Sequence, residues 1–217
     1  MTKATRIYDA VDGFGLITSA QAAELGMSNA ELVQQARMGR FTRVARGVYR
    51  ISAWPPQPEA PYAIAVKAVG DEALLYGESV VALLDLAPTD TSEIWVATPK
   101  RVRRTIDISA EIILSGETAP ASVKIIRSRE IDPVSIRGIP CQPIADAIIS
   151  ASATMGINRA REALVEAMHR GYITRVERAD TERGFARQRK RAARMAARNR
   201  QGKQLAWPKS ARQPLER

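Results

Sequence analysis

Apolar residues in the first 53 positions recur at helical spacing and then switch to the spacing of strands. The stretch ATRIYDAVDG predicts a short helix that ends at Gly13. TSAQAAELG predicts a second, because Thr18 stands three residues before Gln21, as in a capping box, and Gly26 offers a left-handed stop. SNAELVQQARMG repeats that logic with Ser28, Glu31 and Gly39. On this third helix Leu32, Val33 and Ala36 share one face. Glu31, Gln34, Gln35 and Met38 share the opposite face, by a step of roughly 100° per residue. GRFTRVARGVYRI follows directly and threads apolar positions between arginines. FTRVA and VYRIS read as strands joined at Arg46 and Gly47, with Phe41, Tyr49 and Ile51 inward and the arginines outward. Two capped helices separated only by Gly26 and Met27, then a basic hairpin, predict a winged helix-turn-helix over residues 1–53.

The pattern then changes. Residues 54–61 hold Pro55, Pro56, Pro58 and Pro61 and read as a semi-rigid linker. Residues 62–182 mix helix and strand spacing. YAIAVKAVG reads as a helix, and EALLYGESVVALLDL as a short buried strand followed by a helix from Glu78 or Ser79. SEIWVATP is a strand that runs into the basic loop KRVRR. AEIIL and VKIIRS are further strands, and SIRGIPCQPI is extended with a turn at Gly138. ADAIISASA and INRAREALVEAMHRG are helices. Residues 183–217 form a basic tail rich in helix formers, partly helical or disordered on its own. The fold class is α+β: a winged helix-turn-helix, a mixed α/β domain and a basic tail.

Charge sharpens this division. Of 33 basic residues in the 217-residue chain, 12 lie from position 183 onward against one acid, Glu216. The preceding 182 residues carry 21 basic and 22 acidic side chains, so the net charge of +10 resides in the tail. A polyanionic partner is therefore an argument about the tail, not about the folded body. The single Cys141 excludes an intramolecular disulfide and fits a reducing compartment. No apolar run approaches the roughly 20 residues of a membrane span. The N-terminus lacks the apolar core of a signal peptide. A cytoplasmic protein with no membrane partner is the expectation.

Candidate chemistry is one-sided. His169 sits at a helix end near Gly171, and Cys141 has neither a second cysteine nor a nearby histidine for a zinc site. Ser79 lacks the G-x-S-x-G context and reads as a helix cap. Asp71, Glu72, Glu78 and Asp85 are scattered as on solvated faces. No catalytic residue, metal site or cofactor is expected, and the chain does not read as an enzyme. Binding chemistry is richer. Ser28, Asn29, Glu31, Gln34, Gln35 and Arg37 stand on or before the third helix, and a glutamine pair suits adenine edges in a major groove. Arg40, Arg43, Arg46 and Arg50 suit phosphates. Ordinary solvated surface is the plain alternative for all of them. Lys100, Arg101, Arg103 and Arg104, with Arg187, Arg189, Lys190 and Arg191, are candidates for auxiliary nucleic-acid or partner contacts. The tail reads as a solubilising extension, a nucleic-acid arm or a docking segment, and Trp207 argues for docking.

GLITSAQAAELGMSNAELVQQARMGRFTRVARGVYRI resembles the N-terminal winged helix of AbiEi-type antitoxins, from type IV abortive-infection toxin–antitoxin systems. The run G-x-x-x-R-V-x-x-G-V-Y, Gly39 to Tyr49, is its most characteristic piece. LLYGESVVALLDL, SEIWVATPKRVRR and VKIIRSREIDPVSIRGIPCQPIADAIISAS follow the order of that family, and only the tail is unmatched. The resemblance implies a repressor that binds inverted repeats in its own promoter. It also implies an antitoxin that opposes a cognate nucleotidyltransferase toxin, with or without direct contact. A stand-alone winged-helix regulator with a ligand-sensing C-terminal domain is the alternative, and a metal-dependent nuclease using the acids of the middle section is the third reading.

Overall fold

The computed structural model describes residues 3–90, 92–106, 108, 122–129 and 131–205. The chain opens with α1 (Lys3–Ala10), β1 (Leu16–Thr18), α2 (Ser19–Glu24) and α3 (Asn29–Arg37), then β2 (Phe41–Ala45) and β3 (Val48–Ile51). Both capping boxes form. Thr18 accepts from the Gln21 amide at 3.1 Å, and Gln21 Oε1 accepts from the Thr18 amide at 3.0 Å. Ser28 and Glu31 reciprocate at 3.2 and 2.8 Å. Each box satisfies amides that a helix start otherwise orphans, which steadies two very short helices. Gly26 and Gly39 adopt the left-handed stops, at φ 85° and 73°.

The first helix is shorter than its sequence pattern predicts. It stops at Ala10 because the Asp12 carboxylate captures the amides of Phe14 and Leu16 at 2.9 and 3.0 Å. That turn feeds β1, which is too short at three residues to show a period in sequence. The strands form an antiparallel sheet in the order β1-β3-β2, turning at Gly47 (φ 78°), with an irregular register between Arg43 and Ala45.

This small sheet is covered on both faces. Ile17, Phe41, Tyr49 and Ile51 pack with Ile7, Ala22, Met27 and Leu32 of the helical layer. Leu16, Val44, Ala45 and Val48 join a second, larger core with Ile64 and its neighbours in α4 (Ala60–Val69). The expectation that Phe41, Tyr49 and Ile51 face a core is met, but the hairpin has no free second face.

Residues 54–61, read as a semi-rigid linker, are held to the N-terminal unit at several points. Trp54 Nε1 and Gln57 Nε2 both donate to the Gly13 carbonyl, at 3.2 and 3.0 Å. Gly15 (φ 71°) lies under the Trp54 ring, where any Cβ would collide with it. Lys67 of α4 reaches back to the Asp12 carboxylate at 2.5 Å and to the Leu16 carbonyl at 3.2 Å. Phe14 is buried in the larger core. The prolines shape a joint pinned on both sides.

The body continues with β4 (Leu74–Leu75), α5 (Glu78–Leu83), β5 (Glu93–Thr98), β6 (Ser122–Arg127), β7 (Val134–Ile136) and β8 (Ile139–Cys141). The five strands form a mixed sheet, β6-β5-β4-β8-β7, in which β5 and β6 are parallel, as are β4 and β8. The strand expected at AEIIL falls outside the described residues. Gly77, not Ser79, caps α5. Ser79 instead accepts from the Trp95 amide at 2.8 Å, tying α5 to β5.

Helices α6 (Ile144–Ala151), α7 (Ile157–His169) and α8 (Arg175–Leu205) close the molecule. Helix α8 crosses position 183 without a break. Thr181, Gly184 and Phe185 are buried, and Ile149 of α6 occupies the space that a Cβ at Gly184 would need. Trp207 lies outside the described residues.

Candidate nucleic-acid interface

The surface built by α3 and β2 collects most of the sequence-derived contact residues, because β2 is an edge strand packed beside α3. Asn29, Gln34 and Arg37 are exposed on α3, and Arg40, Arg43 and Arg46 are exposed along the following hairpin. The side chains of Asn29, Gln34, Arg37, Arg43 and Arg46 make no hydrogen bond or ion pair among the described residues. Gln35 is half-buried, and its Oε1 accepts from Arg40 Nη1 at 3.0 Å. That bond orients the Gln35 amide and leaves its NH₂ donors free of the acceptor's demand. Ser28 and Glu31 stand at the same helix start, but their side chains are engaged in the cap, with the Ser28 hydroxyl also donating to Glu31 at 2.9 Å. Met38, placed by its spacing on the same face, is 56% exposed and adds an apolar element.

Arg50 departs from this set. It is 5% exposed, and its guanidinium donates to the Phe14 carbonyl at 3.1 Å and to the Pro55 carbonyl at 2.6 Å. Desolvation holds its pKa below the ordinary arginine value. The cause is register: Arg50 alternates with Tyr49 and Ile51, so it points to the sheet face that the body covers. Arg50 is a clamp on the joint, not a surface cation.

The hairpin tip is also anchored. The Gly47 carbonyl accepts from the Ser19 amide at 2.9 Å, which ties the turn to the start of α2. Arg46 therefore projects from a fixed turn.

The two auxiliary groups divide. Lys100 pairs with Glu72 at 2.7 Å, and that carboxylate raises its pKa. Arg104 donates to the Ala68 carbonyl in the last turn of α4 at 2.7 Å. Arg101 and Arg103 are exposed without partners among the described residues. On α8, Arg187, Arg189 and Lys190 are exposed, and the side chain of Arg191 falls outside the described residues.

Elsewhere, burial pushes the Cys141 thiol up to about 12, so it carries almost no thiolate at neutral pH. Among the described residues no group of three or more His, Cys, Asp or Glu side chains is placed to hold a metal. None of the helices described is long and apolar enough to cross a membrane. A cleft of about 240 Å³ lies where the two units meet, lined by Asp12, Phe14, Gln21, Lys67, Asp71 and Ile139 among others. Sequence reasoning had no signal for it, since the residues that meet there are remote along the chain.

Residues 6–52 match a family model described as a transcriptional regulator, AbiEi antitoxin. The match spans α1 to β3 and ends where the proline-rich joint begins. No curated protein matches the chain.

Proposed function

We propose that the chain is an autoregulating antitoxin: its N-terminal unit acts as a winged helix-turn-helix on inverted repeats in its own promoter, and its body opposes a cognate nucleotidyltransferase toxin. The observation that carries this reading is a coincidence of place. The family match over residues 6–52 covers the unit whose α3 and β2 edge leave polar and cationic side chains unpaired. In this reading α3 enters the major groove and Gln34, supported by Gln35, reads adenine edges. Arg37, Arg40, Arg43 and Arg46 hold phosphates on either side and fix the register. The toxin contact is assigned to the body, without a defined surface.

The test is twofold. Co-expression with the neighbouring gene should restore growth that the neighbour alone arrests; no rescue overturns the antitoxin role. Promoter fragments should shift with the purified protein in a competition against random duplex; equal affinities overturn the repressor role. A stand-alone regulator with a ligand sensor is the second reading, favoured by the cleft at the joint, where Lys67 and Asp12 bridge the two units. A harmless neighbouring gene product would select it.

A further inference from the structure

A second basic surface lies outside the matched region. Thr181, Gly184 and Phe185 fix one side of α8 against α6 and α7. A step of roughly 100° per residue puts Arg183, Arg187, Lys190 and Arg194 together on the opposite side. All four are exposed. Arg183 is paired with Asp180, while Arg187, Lys190 and Arg194 make no hydrogen bond or ion pair among the described residues. The chain has no acid between positions 183 and 215 to neutralise them. At about 1.5 Å per residue, the four positions form a straight ridge about 16 Å long. Like charges at i,i+3 and i,i+4 oppose helix formation, and among the described residues only Asp180, at Arg183, offsets them.

We propose that this ridge binds the phosphodiester backbone of duplex DNA, without regard to sequence. Three features select that partner. A duplex carries a negative charge for about every 3.4 Å of axis on each strand, a density of one sign that a row of four cations about 16 Å long complements. Guanidinium forks match phosphate oxygens bidentately. Among the described side chains between the cations, Ala186 and Ala193 stand beside the ridge, and none is a large apolar side chain of the kind that anchors protein interfaces. The packed base of α8 also fixes the direction in which the backbone of the ridge sets out from the body. The ridge does not depend on the reading of α3: it would hold DNA of any sequence.

The experiment uses the full chain and a random-sequence duplex, titrated from about 50 mM to about 200 mM salt. The variant Arg187→Ala/Lys190→Ala/Arg194→Ala is compared with Arg43→Ala/Arg46→Ala and with a variant carrying Arg187→Lys and Arg194→Lys. The triple alanine variant should bind at least about tenfold more weakly at low salt, with the salt slope reduced by nearly 0.9 per lost contact, and the deficit should shrink as salt rises. The lysine variant should retain most of the affinity. Circular dichroism should stay unchanged, since all three positions are exposed. Equal affinity and slope in the triple variant overturn the proposal, as does polyglutamate binding as tightly as duplex DNA. If the ridge variant weakens while Arg43→Ala/Arg46→Ala leaves promoter binding intact, the N-terminal phosphate contacts fail and the ridge stands.

Discussion

The chain has two arginine-rich stretches, and they use arginine differently. In the hairpin a strand turns each successive side chain to the opposite face. Arg43, on the edge strand β2, reaches solvent, while Arg50, on the opposite face of the central strand β3, is enclosed and donates to the carbonyls of Phe14 and Pro55. In α8 the turn of the helix spreads neighbours around a cylinder. Arg187, Lys190 and Arg194 gather on the outer side, and Arg189 lines a groove beside Ile157, Glu182 and Phe185. The lesson is that composition identifies both stretches as basic, but only the backbone period and the covered face decide which cations remain available. A strand buried on both sides converts a surface residue into an internal clamp.

The largest effect should come from separating the two regions. A fragment of residues 57–217 loses Phe14, Leu16, Val44 and Val48 from the core they share with α4. It should lack a cooperative thermal transition, whereas the full chain should melt in one. A fragment with a sharp transition would mean that the shared core is dispensable.

Next is Arg50→Ala, which strands two carbonyls and opens space at the joint. Losing a charged, buried donor should cost about 2–4 kcal/mol in chemical denaturation, against less than about 0.5 kcal/mol for Arg43→Ala. The reverse ranking would return Arg50 to the surface set. Gly184→Ala drives a Cβ into Ile149 and should cost about 1–3 kcal/mol of overpacking. An unchanged midpoint would show that α8 is free to lift from α6 at that turn. For Gln34→Ala, promoter affinity should fall by about 1–3 kcal/mol with random-duplex affinity nearly constant. Parallel losses on both duplexes would reduce Gln34 to a backbone contact. Smallest is the pair Arg43→Ala and Arg46→Ala, each lowering the salt slope by about one. An unchanged slope would leave the hairpin edge without a phosphate role.

Short-range features were legible in the sequence. Thr18 with Gln21 and Ser28 with Glu31 announce their caps because a capping box closes over three residues. Phe41, Tyr49 and Ile51 announce a buried face by spacing. The failures are all long-range. Nothing near Arg50 tells that α4 will cover its side of the sheet. Prolines suggested a semi-rigid linker, and nothing local told that Trp54 and Gln57 would bind a carbonyl more than forty positions earlier. The net charge suggested a tail from 183, but Phe185 finds its pocket on α6 and α7. The candidate surface was legible where it is local, on α3 and along β2. It was misjudged where an outward position in the alternation met a second layer.

The tryptophan at the joint makes the seam between the two regions optically observable. Trp54 rests on Gly15 and donates to Gly13, so its indole senses any lifting of the proline-rich joint from the N-terminal unit. With Trp95 and Trp207 replaced by phenylalanine, its emission would report that motion alone. Lifting would hydrate the ring and shift emission to longer wavelength, so each proposed partner could be scored directly for whether it loosens or tightens that contact.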